Sequence, residues 1–330
     1  MTVTTDWLEA RWYGGRKPGF VLRVLACIYG AVVRLRRAAY RRGWLRVHRV
    51  GVPVIVVGNI TVGGSGKTPL VIALVEHLRV QGWNPGVVSR GYGRKSRGQR
   101  VVDAQTSAEQ GGDEPVLIAR RCKVPVVVDA DRVAAARRVI EIGCDIVIAD
   151  DGLQHYRLHR DLEIEVIDGT RRHGNALLLP AGPMREPLER AIACDFHLVN
   201  GDTLHASELA FRLHGATLVG NDGRMQALAS LSGMRVHAVA GIGNPLRFFD
   251  SLRVRGLELI EHRFSDHHAY SPQDLDFNDT IPIVMTEKDW VKCAAFAMSN
   301  CWMLPVCAEL DDRFLSALLH RLPSSPGAQS

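Results

Sequence analysis

The sequence predicts an α/β fold: a parallel-sheet domain built on a phosphate-binding loop, a second and smaller α/β domain, a β connector between them, and an amphipathic helix at the N-terminus. Three observations predict it. An apolar run, Val54 to Val57, ends in a glycine-rich loop that runs into Gly66-Lys67-Thr68 and then into a helical pattern from Leu70 to Leu78. Short apolar runs alternate with helical patterns through both halves of the chain, which implies a mostly parallel sheet in each. Basic residues crowd the first 49 positions around an apolar run too short and too charged to cross a bilayer, which needs about 20 apolar residues.

The loop comes first because strand, glycine loop and helix in that order form a phosphate cradle. Small residues let backbone N–H groups turn toward an anion, and the next helix adds its positive end. The cradle is Thr61, Val62, Gly63, Gly64, Ser65, Gly66, Lys67 and Thr68. Lys67 is placed to reach the outer phosphates, and the Thr68 hydroxyl to ligate Mg²⁺. This makes the first domain P-loop NTPase-like with one departure: five places before Gly66, where the pattern has glycine, stands Thr61.

At 330 residues the chain has room for about two domains, and a 46% hydrophobic content supports a real core. Its seven cysteines, at 27, 122, 144, 194, 293, 301 and 307, include no CxxC pair, so no zinc knuckle or redox pair is expected. Scattered cysteines fit a reducing compartment. No signal-peptide cleavage pattern follows the first apolar run. Net charge is +6, yet residues 1–49 alone hold eleven Arg/Lys against two acids, so the rest is net acidic. A nucleic-acid enzyme would more often carry that charge on its folded body, and no nucleic-acid partner is expected.

In chain order, residues 1–49 form the basic apolar N-terminal region. The apolar stretch Phe20–Val33 abuts Arg34, Arg36, Arg37, Arg41 and Arg42, with Tyr40 and Trp44 among them. That is the make-up of a helix lying in an anionic membrane interface; the other reading is a helix packed on the domain with solvated arginines. Residues 50–202 form the first domain. Strands are expected at 53–58, 84–89, 124–128, 145–149, 162–167 and 195–200, the last closing the first sheet, and helices at 66–81, through Arg121, and to Ile142. Ser89 to Gly98 is a basic glycine-rich loop, either a lid over phosphates or a solvated turn. Asp113 opens a helix with Pro115 in its first turn, where a plain N-cap is also open to it.

The strand 145–149 ends in Asp150-Asp151-Gly152-Leu153-Gln154-His155. A buried apolar strand ending in Asp is how P-loop enzymes present a carboxylate to magnesium. Between Pro180 and Pro187, Arg185 and Glu186 sit in a shaped loop, where Arg185 either clamps phosphate or pairs with a carboxylate. Residues 203–224 read as the β connector, 225–322 as the C-terminal α/β domain and 323–330 as a flexible tail. Within the second domain strands are expected at 236–240, 258–262, 281–285 and 301–305, and helices at 246–255, 272–275, 287–297 and 311–322. The loop Phe264 to Tyr270 holds Asp266-His267-His268, better suited to handling protons than to holding zinc, since no third spaced ligand follows.

The motif set resembles the tetraacyldisaccharide 4′-kinases of lipid A biosynthesis. The matching stretches are Val57 to Pro69, Ser89 to Gly93, Gly112 to Pro115, Asp150 to His155, Leu179 to Pro187, Ala240 to Pro245, Asp266 to His268 and Met285 to Asp289, in the family's order. Thr61 is what that family carries, and Ser65 stands where Thr is common. The resemblance implies ATP-dependent, Mg²⁺-assisted phosphorylation of the 4′-hydroxyl of an acylated glucosamine disaccharide 1-phosphate, at an anionic inner-membrane surface on its cytosolic face. It implies that Asp113 is the base, that His267 pairs with it across the domain gap, and that Arg185 and Lys67 support the phosphates. It further implies that Thr68, Asp150, Asp151, Gln154 and Glu186 order the magnesium shell.

The alternative is a membrane-associated P-loop NTPase acting as a nucleotide switch or adaptor, which has no need of Asp113 or His267. A GTPase is disfavoured. Thr286-Glu287-Lys288-Asp289 holds the residues of the guanine-reading Asn/Thr-Lys-x-Asp in another spacing.

Overall fold

The computed structural model describes residues 3–296 and 299–325. Two helices come first, α1 (Val3–Trp12) and α2 (Phe20–Arg41). The chain then enters the first unit: β1 (Val54–Gly58), α3 (Lys67–Val80), β2 (Pro85–Ser89), β3 (Arg100–Val102), α4 (Ala108–Gly111) and α5 (Asp113–Cys122). It continues with β4 (Val126–Val128), α6 (Arg132–Glu141), β5 (Ile146–Asp150), β6 (Leu162–Asp168), α7 (Leu188–Ala191), β7 (Phe196–Asn200) and β8 (Glu208–His214). The second unit holds β9 (Thr217–Gly220), β10 (Met225–Ala227), β11 (Arg235–Ala240), α8 (Pro245–Arg253), β12 (Glu258–Arg263), β13 (Ile283–Thr286), α9 (Glu287–Cys293) and β14 (Cys301–Leu304). Then come β15 (Cys307–Leu310) and α10 (Asp312–Arg321).

The large sheet has nine strands in the order β15-β8-β7-β6-β1-β5-β2-β4-β3. From β8 to β4 every neighbour is parallel, and only the edge strands β15 and β3 run against it. The central strands β1, β5 and β6 are buried along their whole length; β1 and most of β5 accordingly read as apolar runs, whereas β6 interleaves Glu163 and Glu165, which are paired with Arg190 and His197. β1 lies between β5 and β6, so the strand order reverses there and the crevice at its carboxyl end is open to a ligand. The small sheet runs β10-β9-β14-β13-β11-β12, parallel from β14 to β12. Its core is separate, built on residues such as Leu218, Val236, Phe249, Val284 and Leu304.

The division of the chain differs from the sequence expectation in two places. The segment 203–224 is not a free connector: β8 extends the large sheet beside β7, and β9 belongs to the small one. Nor does the second unit run to 322, or the first sheet close at Asn200. β15 pairs with β8, and α10 drives Phe314 and Leu318 into the core of the large sheet, with Phe314 edge-to-face on Phe196 at 5.1 Å. The chain therefore crosses between units twice, at 215–216 and at 305–306. The crossings touch: a Cβ on Gly215 would lie 2.8 Å from the Pro305 carbonyl oxygen. A four-residue strand with polar Glu309 carries too little periodicity to be read in advance. Pro272–Leu275 is a single 3₁₀ turn, and the expected end of the helix at 297 and most of the 323–330 tail lie outside the described residues.

The α2 helix splits its faces. Ala26 and Gly30 are buried, and the Tyr29 hydroxyl donates to the Arg185 carbonyl at 2.8 Å. Phe20, Val21, Leu25, Ile28, Val32 and Leu35 are 46–80% exposed, an apolar face left open by the described residues. No helix among the described residues is long and apolar enough to cross a membrane.

Candidate functional site

The two sheets turn the carboxyl ends of their parallel strands toward each other, and a cleft of about 1500 Å³ lies between. From β1 the chain passes into the glycine loop. Gly63 and Gly66 take φ of 104° and 96°, in the left-handed region open to glycine, and a Cβ on Gly66 would meet the Asn200 amide at 2.5 Å. Thr61 needs no such freedom. It is extended and forms a β-bridge with Met184, while Val62 N–H donates to the Pro183 carbonyl at 2.9 Å. The cradle's first turn is thus made by pairing with the 179–187 loop, which accounts for the missing glycine.

Thr68 is buried in the first turn of α3, and the Lys67 ammonium lies 3.1 Å from the Asn59 side-chain oxygen and 3.6 Å from Asp151. Asp151 follows β5 at φ 48° and is bound by Arg185 at 2.9 Å. Burial works to raise its pKa, but the charges of Lys67 and Arg185 outweigh burial and hold it down at about 2. Asp150, the last residue of β5, is buried with no hydrogen-bond partner for either oxygen among the described residues. Burial first, then the negative charges of Glu114 and Asp151, push its pKa up to about 7. Gln154 donates to the Asn59 carbonyl at 3.1 Å. Glu186 is not brought to this group. It accepts from the Tyr156 hydroxyl at 2.5 Å, lies 3.3 Å from Arg190, and does not line the cleft. Proline-bracketed backbone points Arg185 and Glu186 opposite ways, so the expected magnesium role of Glu186 has no support in the geometry.

Across the cleft, Asp113 is the first residue of α5, and Gly112, at φ 88°, takes the cap position. Asp113 accepts only from the Glu114 N–H in its own helix, so it does not cap. Instead its two oxygens lie 3.0 and 2.9 Å from His267 Nδ1, on the loop after β12. Burial works against both charges. The hydrogen bond to His267 and the Lys288 ammonium nonetheless hold Asp113 at about 2, and the same bond raises His267 above its ordinary value. His267 sits at φ 59°, a position non-glycine residues occupy only when their surroundings require it. Tyr92, from the basic loop after β2, packs its ring 4.9 Å from that of His267, so this loop does lean over the cleft.

Sequence reasoning missed several residues here. Lys288 pairs with Glu114 at 2.9 Å and Asp266 at 3.1 Å, joining the units beside the Asp113–His267 pair. Arg132 is buried in the cleft wall with its Nε unpartnered among the described residues, and burial pushes its pKa down to about 10. Burial and Arg132 push His155 down to about 4, which keeps its ring neutral. At the cradle, Asp168 accepts from Asn244 at 2.9 Å and from Arg247 at 2.6 Å, and Arg171 donates to the Gly243 carbonyl at 2.7 Å, so the second unit's Gly241–Asn244 turn rests on the glycine loop. The only advance signal for these was their place inside or beside the quoted motifs.

Residues 19–323 match the family model described as "Tetraacyldisaccharide-1-P 4'-kinase". The chain is 53% identical over 323 residues to the tetraacyldisaccharide 4′-kinase of Stenotrophomonas maltophilia, covering 94% of this chain and 95% of the relative. It is 54% identical over 325 residues to that of Xanthomonas euvesicatoria, covering 94% of each. A crystal structure of LpxK from Aquifex aeolicus in complex with ATP superposes with a TM-score of 0.75 at 29% identity, over 91% of this chain and 98% of that one. With its motifs in order along nearly the whole length, its cradle facing the Asp113–His267 pair, and these likenesses, the chain belongs to the tetraacyldisaccharide-1-P 4′-kinase family.

Proposed function

We propose that this chain transfers the γ-phosphoryl group of ATP to the 4′-hydroxyl of an acylated disaccharide 1-phosphate, working at a membrane surface. The observation that carries the reading is the cleft itself: a phosphate cradle on one wall, a carboxylate–histidine pair facing it, and α2 at one end with an uncovered apolar face.

In this reading the β- and γ-phosphates lie on the N–H groups of Val62 to Gly66 and on Lys67, with Arg185 and Arg132 flanking the transferred group. The acceptor hydroxyl approaches from the opposite wall. A sugar hydroxyl has a high pKa, so Asp113 acts late, taking the proton as the new P–O bond forms. Asp113 is suited to this because it is ionised at neutral pH and rigidly held. His267 orients that carboxylate and moderates its charge, acting through it rather than on the sugar. Lys288, bound to Glu114 and Asp266, ties the two walls together during transfer.

Mg²⁺ fits the donors present. Asp150 offers two buried oxygens without partners among the described residues, and Thr68 and Asp151 stand at the same end of β5 and α3, with Gln154 behind them. When bound, the ion would supply charge that neutralises the phosphate oxygens in the transition state. No group of three or more His, Cys, Asp or Glu suited to a metal occurs among the described residues.

The membrane part of the reading rests on α2. Its exposed apolar face suits burial in an interface, and its arginines suit anionic headgroups. Acyl tails would then stay in the bilayer while the head group enters the cleft, at the cytosolic face of the inner membrane. The test is radiolabelled ATP with the disaccharide 1-phosphate lipid in micelles, read by thin-layer chromatography. Label should move to the lipid with wild type and Mg²⁺. Nucleotide turnover indifferent to the acceptor would reject the kinase in favour of a nucleotide switch.

A further inference from the structure

The cleft extends beyond the cradle to α2, and the two helix residues that line it are Tyr29 and Arg36. They are seven apart and so share a face. Tyr29 is pinned to the Arg185 carbonyl, which fixes this part of the helix against the loop beside the cradle. Two turns on, the Arg36 guanidinium stands 5.6 Å from the Tyr156 ring centre and 6.0 Å from that of Tyr40, and the two rings are 5.6 Å apart. Arg36 makes no ion pair with a carboxylate among the described residues. The other cations of the cleft are placed differently. Lys67 and Arg185 hold Asp151, Arg247 holds Asp168, Lys288 holds Glu114, Arg212 holds Asp202 and Arg255 donates to the Ser251 carbonyl, while Arg132 and Arg90 lie together by the Asp150–Asp151 end.

A guanidinium set against aromatic rings keeps its planar fork of N–H donors free at the edge. That fork suits a phosphate, which it binds with paired hydrogen bonds. The position also has a direction. Val32 and Leu35, 60% and 65% exposed, belong to the apolar face of the same helix, so Arg36 marks where that face meets the cleft. An acylated sugar phosphate must straddle this border, with tails on the apolar side and its reacting hydroxyl at the cradle. The family's acceptor carries a phosphate at position 1, at the other end of the disaccharide from its 4′-hydroxyl.

We propose that Arg36 binds the acceptor's 1-phosphate and so selects phosphorylated disaccharides, with Tyr156 and Tyr40 holding its guanidinium in place. The proposal rests on the kinase reading above. It makes the N-terminal helix part of the substrate site as well as a membrane contact.

The test is kcat and KM at saturating ATP in nonionic micelles, with two acceptors: the disaccharide 1-phosphate lipid and the same lipid without its phosphate. The proteins are wild type, Arg36→Ala, Arg36→Lys and, as a control, Arg46→Ala, a basic residue that does not line the cleft. A charge-assisted bond of this kind implies that Arg36→Ala raises KM for the phosphorylated acceptor about 10- to 100-fold, with little change in kcat. On the acceptor lacking phosphate the variant should match wild type, and wild type should disfavour that acceptor by a similar factor. Arg36→Lys should recover part of the loss, since it restores charge without the fork, and Arg46→Ala should change neither value. Equal losses on both acceptors would overturn the proposal, and so would no loss on the phosphorylated one. Losses that appear only in anionic micelles would assign Arg36 to bilayer phosphates instead, and overturn it as well. Wild type inert on both acceptors would remove the kinase reading and this proposal with it.

Discussion

At the scale of residues, Asp150 carries a signed expectation. Its folded-state pKa of about 7 lies above the ordinary carboxylate value of about 3.9. Stability is therefore fully present below the ordinary value and is lost as pH rises through the folded one. In EDTA the melting temperature of wild type should fall relative to Asp150→Asn between about pH 4 and about pH 7 and level off above that, and Mg²⁺ should recover it in wild type alone. A gap that ignores pH would reject the buried unpaired carboxylate. The Asp113–His267 pair has the opposite signs on its two members. The raised His267 contributes fully below its ordinary pKa and is lost as pH climbs through its folded value; the depressed Asp113 contributes above its ordinary pKa and is lost as pH falls toward 2. The Tm difference between wild type and His267→Gln should thus be widest in mild acid and shrink toward alkali. In kinetics, Asp113→Ala and His267→Ala should each lower kcat, and the double variant should be little worse than the worse single. Losses that simply multiply would mean the two act apart. Lys67→Ala should cost about 10²-fold or more in kcat at matched folding; near-normal turnover would remove the cradle as the phosphate site.

Among the elements, α2 is the one whose two faces make different claims. Replacing Ile28 and Val32 by Glu on its uncovered side should release the protein from anionic vesicles in a sedimentation assay, with melting temperature unchanged because neither side chain is packed. Wild-type binding should also weaken with salt. Undiminished sedimentation of the double variant would place the anchor elsewhere. The strands and helices that carry the site were legible in the sequence because their signals are local: an apolar run, a glycine loop, a Pro in a first turn. Thr61 was visible as a departure, but its cause, a bridge to Met184, lies more than a hundred residues away. Lys288 stood in the matching stretch Met285 to Asp289 and in a misspaced guanine motif, but neither gave it a role, since Glu114 and Asp266 are brought to it by the fold. Glu186 was assigned to magnesium only by the resemblance, and a motif in an irregular loop does not say which way a side chain turns. Arg36 was counted among the membrane arginines, because one basic residue on a basic helix has no signal of its own until the cleft shows which of them faces inward.

Across the whole molecule, the two units meet at the Asp113–His267 pair, which the resemblance implied, and at the doubled crossing, which the sequence did not show. β15 and α10 come last in the chain yet complete the first unit's sheet and core. Ending the chain at Val306 should therefore lower the melting temperature and weaken ATP binding by the cradle unit, although the nearest residues in sequence belong to the other one. A truncated protein that binds ATP and melts like the full chain would show that the returning strand is dispensable. This return has a consequence for how the protein is made. Synthesis runs from the N-terminus, and domains commonly fold as they emerge. Here the nucleotide-binding sheet has to wait, one edge unpaired, while the entire second unit is translated and folded. The exposed flank of β8 is then an aggregation hazard for a newborn chain, and it closes only once β15 has followed the second unit out of the ribosome.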